Sequence, residues 1–199
     1  MATEYKVPTL VEPAPPKPNE VVLVTSGDLR HTANVVGWPE QQVLEKQIAD
    51  VLAEIGYTVR RGHEYDPEVG HGFIWNQRMG MDVFADIHPD TPIIIAEAVW
   101  EYSHPVLSGL KTQRGPILTA ANWSGQWPGL VGLLNLNASM TKAGMEYSTI
   151  WSEDFTDEWA RKALKEWVTT GKITHDTSHV RPLDAAALPV DEAALGKAL

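Results

Sequence analysis

Three short polar stretches carry side chains suited to chemistry: SGDLRH (residues 26–31), WEYSH (100–104) and NWSGQW (122–127). They bring together Arg30, Trp100, Asn122, Trp123, Gln126 and Trp127. Arg30 is a permanent cation with a rigid fork of donors, and Asn122 and Gln126 can both donate and accept. Indole rings stack on the apolar C–H faces of a sugar while such polar groups bond its hydroxyls. The mixture therefore suits a monosaccharide. The same rings could instead bury a subunit interface, and the two readings are compatible if the site lies at that interface.

Other chemistries fit less well. Ser26, Ser103 and Ser124 have His31 and His104 near two of them in sequence, but NWSGQ replaces both glycines of the G-x-S-x-G elbow. A serine hydrolase around Ser124 stays as an alternative, against the ordinary role of loop serines in local turns. His175 and His179 stand four apart beside Asp176, a spacing that shares a metal only on a helix. The segment ITHDTSHVRP is too rich in threonine and serine to read as one. Glu97 and Glu101 flank Trp100 without an obvious histidine partner. With no cysteine, thiolate sites and disulfides are excluded, so no metal and no catalytic set is expected on this chain. Neither G-x-G-x-x-G nor a phosphate loop occurs.

The net charge of −10 opposes nucleic-acid binding, because no basic stripe offsets it. No apolar run has transmembrane length and no signal-peptide pattern opens the chain. The expectation is a cytoplasmic protein that binds neither membrane nor nucleic acid.

Positioning those three stretches requires a scaffold. Residues 1–19 are proline-rich and read as an extended arm. Residues 20–180 form the body, and 181–199 a C-terminal tail or linker. Strands are expected at 21–26, 57–62, 92–100, 116–121 and 147–152, and helices at 40–56 (after Pro39), 73–88, 129–144 and 154–172, the last capped by Asp154 or Thr156. Trp75, Trp159 and Trp167 lie in helical patterns and read as packing residues; Trp38 precedes a helix and Trp151 ends a strand. Strands that are apolar on both faces, alternating with helices, predict a three-layer α/β domain: a five-stranded parallel sheet of flavodoxin-like or Rossmann-like type. In such sheets ligands gather beyond the carboxyl ends of the strands, where all three polar stretches would lie.

The body from about 21 to 152, about two-thirds of the chain, resembles the N-terminal domain of L-fucose isomerase and its relatives in the fucose/arabinose isomerase superfamily. The resemblance rests on TSGDLRHTANVVGWPEQQVLEKQ, IIIAEAVWEYSHP and NWSGQWPGLVGLL, in that order and spacing. It implies an aldose–ketose isomerase dependent on Mn²⁺ or another divalent metal, assembled as an oligomer. In that family the metal ligands, two carboxylates and a histidine, belong to later domains, and the N-terminal domain shapes the sugar pocket of a neighbouring subunit. Arg30 matches the arginine of the first loop and Trp100 the tryptophan after the third strand. A complete enzyme of this kind is more than twice as long, so the chain is expected to be a domain or subunit that is catalytically incomplete alone. Its metal is expected on a partner or missing domain. A non-catalytic sugar-binding or regulatory module is the alternative.

Overall fold

The computed structural model describes residues 12–100, 102–178 and 180. The proposed tail at 181–199, and most of the arm, lie outside the described residues. Residues 12–19 contain no helix or strand, and the sheet begins at Glu20.

Five strands pair in parallel in the order β2-β1-β3-β4-β5: β1 (Glu20–Val24), β2 (Thr58–Arg61), β3 (Ile93–Glu97), β4 (Ile117–Asn122) and β5 (Ser148–Ser152). This is the flavodoxin-like order, and the expected five-stranded parallel sheet is present. The central β3, IIIAE, is buried at all five positions, because a strand covered on both faces has no polar side. Helices α1 (His31–Glu54) and α5 (Glu158–Thr170) cover one face, enclosing Leu23, Ile94, Leu118 and Ile150 with Leu44, Ile48, Leu164 and Trp167. Helices α2 (Gln77–Ala85), α3 (His104–Leu110) and α4 (Leu130–Lys142) lie on the other, over Val22, Val24, Ile93, Ile95 and Ile117. None of these helices is long and apolar enough to cross a membrane.

Four features correct the sequence-based expectation. The first helix starts at His31 rather than after Pro39, which lies inside it. An interior proline removes one backbone hydrogen bond. Here buried Asn34, Gly37 and Trp38 anchor the early turns, so Trp38 is a core residue within the helix. The helix expected at 73–88 begins only at Gln77, capped by Asn76 Oδ1 on the Met79 N–H at 2.9 Å. Upstream, Ile74 pairs with the end of β1: its N–H donates to the Thr25 carbonyl, and its carbonyl accepts from Gly27. Helix α3 was not anticipated, although Ser103 before Pro105 is a helix-start signal. Gly80 is required where α2 meets α3: a Cβ there would fall 1.8 Å from the Pro105 carbonyl oxygen. Finally, α5 is capped by Asp157, whose Oδ1 accepts from Ala160 N–H at 2.9 Å.

Candidate functional site

In the order β2-β1-β3-β4-β5, connections leave β1 and β3 toward opposite faces, opening a crevice at their carboxyl ends. Arg30 lies on the β1 side of it. Its guanidinium bonds both oxygens of Asp28, Nε to Oδ1 at 2.9 Å and one terminal nitrogen to Oδ2 at 2.7 Å, and its backbone N–H also donates to Oδ1 at 2.8 Å. Asp28 is itself fixed by buried Asn34, whose Oδ1 accepts the Asp28 N–H at 2.8 Å and whose Nδ2 donates to the Asp28 carbonyl at 2.9 Å. Bonding to Arg30 holds the Asp28 carboxyl below its usual range, and the same bonds keep Arg30 firmly protonated. The arginine is thus aimed from below while 71% of its side chain stays exposed.

Across the crevice, Trp100 is exposed at 62%. The chain leading to it is held by Gln41 of α1, which accepts the Ala98 N–H and donates to the Ala96 carbonyl, each at 3.0 Å. Gln41 Nε2 also reaches Thr25 Oγ1 and Glu45 Oε1. On the far side of Trp100, the Ser26 hydroxyl donates to the Tyr102 carbonyl, joining the loops after β1 and β3. Glu97 ends β3 beneath this bridge. It is 1% exposed, its Oε2 has no hydrogen-bond partner among the described residues, and burial pushes its carboxyl up to about 8. Glu101 lies outside the described residues.

The NWSGQW stretch divides. Asn122 closes the loop from inside: its Nδ2 donates to the Ser124 and Trp127 carbonyls at 3.2 and 2.8 Å, and its Oδ1 accepts the Gly129 N–H at 2.9 Å. Trp127 is partly buried against the core shared with α1 and α5. These two residues brace the loop from inside. Trp123 and Gln126 remain exposed. Ser124 donates to Glu153 Oε1 at 2.9 Å, and among the described residues no histidine bonds it. Among the described residues, the hydroxyl is therefore engaged with a carboxylate and not with an imidazole base of the kind a serine nucleophile uses.

Two features escaped sequence reading. One is the largely buried pair of Glu45 and Arg61, 3.1 Å apart, with the guanidinium over the Trp38 ring at 4.7 Å. Burial pushes the Glu45 carboxyl up and the Arg61 guanidinium down, and each charge offsets the other's desolvation. The second is fully buried His71, whose Nδ1 accepts the Phe73 N–H at 3.2 Å while Nε2 has no partner among the described residues. Desolvation, reinforced by His31 and His63, lowers it to about 4. Among the described residues no three histidine or carboxylate side chains converge to hold a metal ion. His175 is exposed, and His179 lies outside the described residues.

The arrangement defines a doubly wound α/β domain whose open carboxyl edge presents one pinned arginine and several exposed indoles. No family model and no curated protein matches the chain. Among solved structures it is similar to rubredoxin oxygen:oxidoreductase from the anaerobe Desulfovibrio gigas, at 13% identity and a TM-score of 0.37, over 80% of this chain and 35% of that one.

Proposed function

We propose that this chain is the N-terminal domain or subunit of a metal-dependent aldose–ketose isomerase and forms part of the sugar pocket of a neighbouring chain. The observation that carries the reading is Arg30, pinned by Asp28 yet mostly exposed, opposite Trp100 at the crevice where α/β sheets bind ligands. Such an arginine donates fixed hydrogen bonds to sugar hydroxyls and does not exchange its proton at working pH. Trp100 supplies the stacking face. On this reading the metal and the proton-transferring carboxylates would come from the partner, and no chemical step is assigned to this chain.

The test is an isomerase assay of the chain reconstituted with its co-purifying partner or with further copies of itself. Arg30→Ala and Trp100→Ala should each lower kcat/KM by about tenfold or more, mainly through KM, with metal content of the complex unchanged. Wild-type kcat/KM in both variants, on every sugar the wild type accepts, would overturn the assignment. Saturable sugar binding without turnover in the assembled complex would instead make the chain a non-catalytic sugar-binding module.

A further inference from the structure

We propose a second binding site, for a small quaternary ammonium compound, in the cleft beyond the carboxyl ends of β4 and β5. The cleft has a volume of about 550 Å³ and is walled by Trp123, Trp151 and Trp159, with Glu153 and Asp154 on its rim. The three indoles are exposed at 52%, 43% and 46%. They come from three separately anchored elements. Trp123 follows the Asn122 clasp. Trp151 stands in β5, in register with Ala121 two residues before Trp123. Trp159 is in the first turn of α5, behind the Asp157 cap. Fully buried Phe155, whose N–H donates to Ser152 Oγ at 3.0 Å, ties down the loop bearing the two acids. The walls are therefore preformed.

Charge selects the occupant. Among the described residues, no lysine, arginine or histidine lines the cleft. Asp157 is engaged through both oxygens, by Ala160 N–H and by Ser152 Oγ. Asp154 uses Oδ1 for the Thr156 N–H and hydroxyl, which keep its carboxyl below the usual range and so ionised, and Glu153 uses Oε1 for Ser124. One oxygen of each faces no donor among the described residues. The nearby cation, Arg161, is taken up by the Thr156 carbonyl and by Glu54. His175 flanks Trp159 with ring centroids 6.2 Å apart. Indole faces and carboxylates are both negative, so both attract a cation, and trimethylammonium methyls also bury apolar surface on the rings. The Ser152 hydroxyl in the cleft is spent on Asp157, so these side chains offer a sugar only indole N–H groups as free donors.

The experiment titrates the full chain with choline, following tryptophan fluorescence and heat, against its uncharged isostere 3,3-dimethylbutan-1-ol, sodium chloride at matched ionic strength, and L-fucose. Choline should bind saturably, about tenfold or more tightly than the isostere. Trp151→Leu and Glu153→Gln, each folded by circular dichroism, should weaken it about fivefold or more. Arg30→Ala should leave it unchanged, which separates this site from the sugar wall. Equal binding of the isostere, tighter binding of L-fucose, no saturable response to choline, or wild-type affinity in both cleft variants would overturn the proposal.

Discussion

Gly129 packs directly on the carbonyl of Glu97: a Cβ at Gly129 would lie 1.7 Å from that oxygen and 2.4 Å from its carbon. The entry to α4 is thus seated on the last residue of β3, and the Gly129 N–H is at the same time held by Asn122. This contact fixes where the NWSGQW loop ends. Relief would require moving backbone on both sides, which no rotamer change supplies. Gly129→Ala should lower the unfolding free energy by about 2–4 kcal/mol, read from the urea midpoint. An unchanged midpoint would show that α4 can shift off β3 freely.

Glu97 also sets a pH dependence. Burial raises its carboxyl from the ordinary 4.5 to about 8. Between those values the folded chain holds a proton that the unfolded chain releases. The unfolded state binds fewer protons, so stability is greatest below the unfolded value and falls as pH rises toward about 8, with a slope approaching about 1.4 kcal/mol per pH unit. Glu97→Gln keeps the shape and cannot ionise, so its stability should stay flatter. Denaturant midpoints of both proteins across this range decide it: parallel curves would mean that Glu97 is ionised in the fold already.

His71 contributes with the opposite sign. Its folded value of about 4 lies below the ordinary 6.5. As pH falls from 6.5 toward 4, the unfolded chain gains a proton that the folded chain refuses, so this contribution is complete above 6.5 and is lost below it. Glu97 and His71 therefore oppose each other in the lower part of the range, while above 6.5 the His71 contribution is constant and that of Glu97 still falls. His71→Phe should leave the Glu97 slope unopposed, so the variant gains stability relative to wild type as pH falls from 6.5 toward 4.5, even if the lost acceptor for the Phe73 N–H lowers stability throughout. Acid-induced unfolding with the same slope in wild type and variant would place the acid sensitivity elsewhere.

What was legible in the sequence follows from which signals are local. All five strands could be read: β1, β3 and β4 are short apolar runs buried on both faces, and the edge strands β2 and β5 are short alternating segments bounded by turn residues. The early turns of α1 could not, since Pro39 signals a start, and what holds them is a side-chain clamp of Asn34 on the backbone of Asp28, six residues back. Arg30, Trp100, Trp123 and Gln126 do fall exposed at the edge where loops after strands were expected. Asn122 and Trp127 turn inward, and nothing in the order of residues distinguishes an indole that plugs a core from one that lines a cleft. Trp159 and Trp167 show this within one helix: Trp167 is 1% exposed, and Trp159, in the first turn at the carboxyl edge of β5, is open. Glu153 and Trp151 gained meaning only when β5 was seen beside β4.

Gln41 offers the last prediction. Its amide extends β3 as a strand neighbour would, accepting from Ala98 and donating to Ala96, and it also reaches Thr25 and Glu45. No backbone group could do this, because the chain after Glu97 turns away from β1 to carry Trp100. Gln41→Leu is close in size but leaves the Ala98 N–H and the Ala96 carbonyl buried without that partner. The expected loss is about 2–3 kcal/mol, or a Tm lower by roughly 4–12 °C for a domain of this size. Because the clamp anchors the loop before Trp100, amide exchange at Ala98 and Val99 should accelerate by more than the global loss explains. Gln41→Glu tests direction: a carboxylate can still accept from Ala98 but, when ionised, cannot donate to Ala96 and stands against Glu45. It should be the worse substitution at neutral pH and recover as pH falls. If Gln41→Leu matches wild type in both midpoint and local exchange, the amide is incidental and the β3 end is held by its strand neighbours alone.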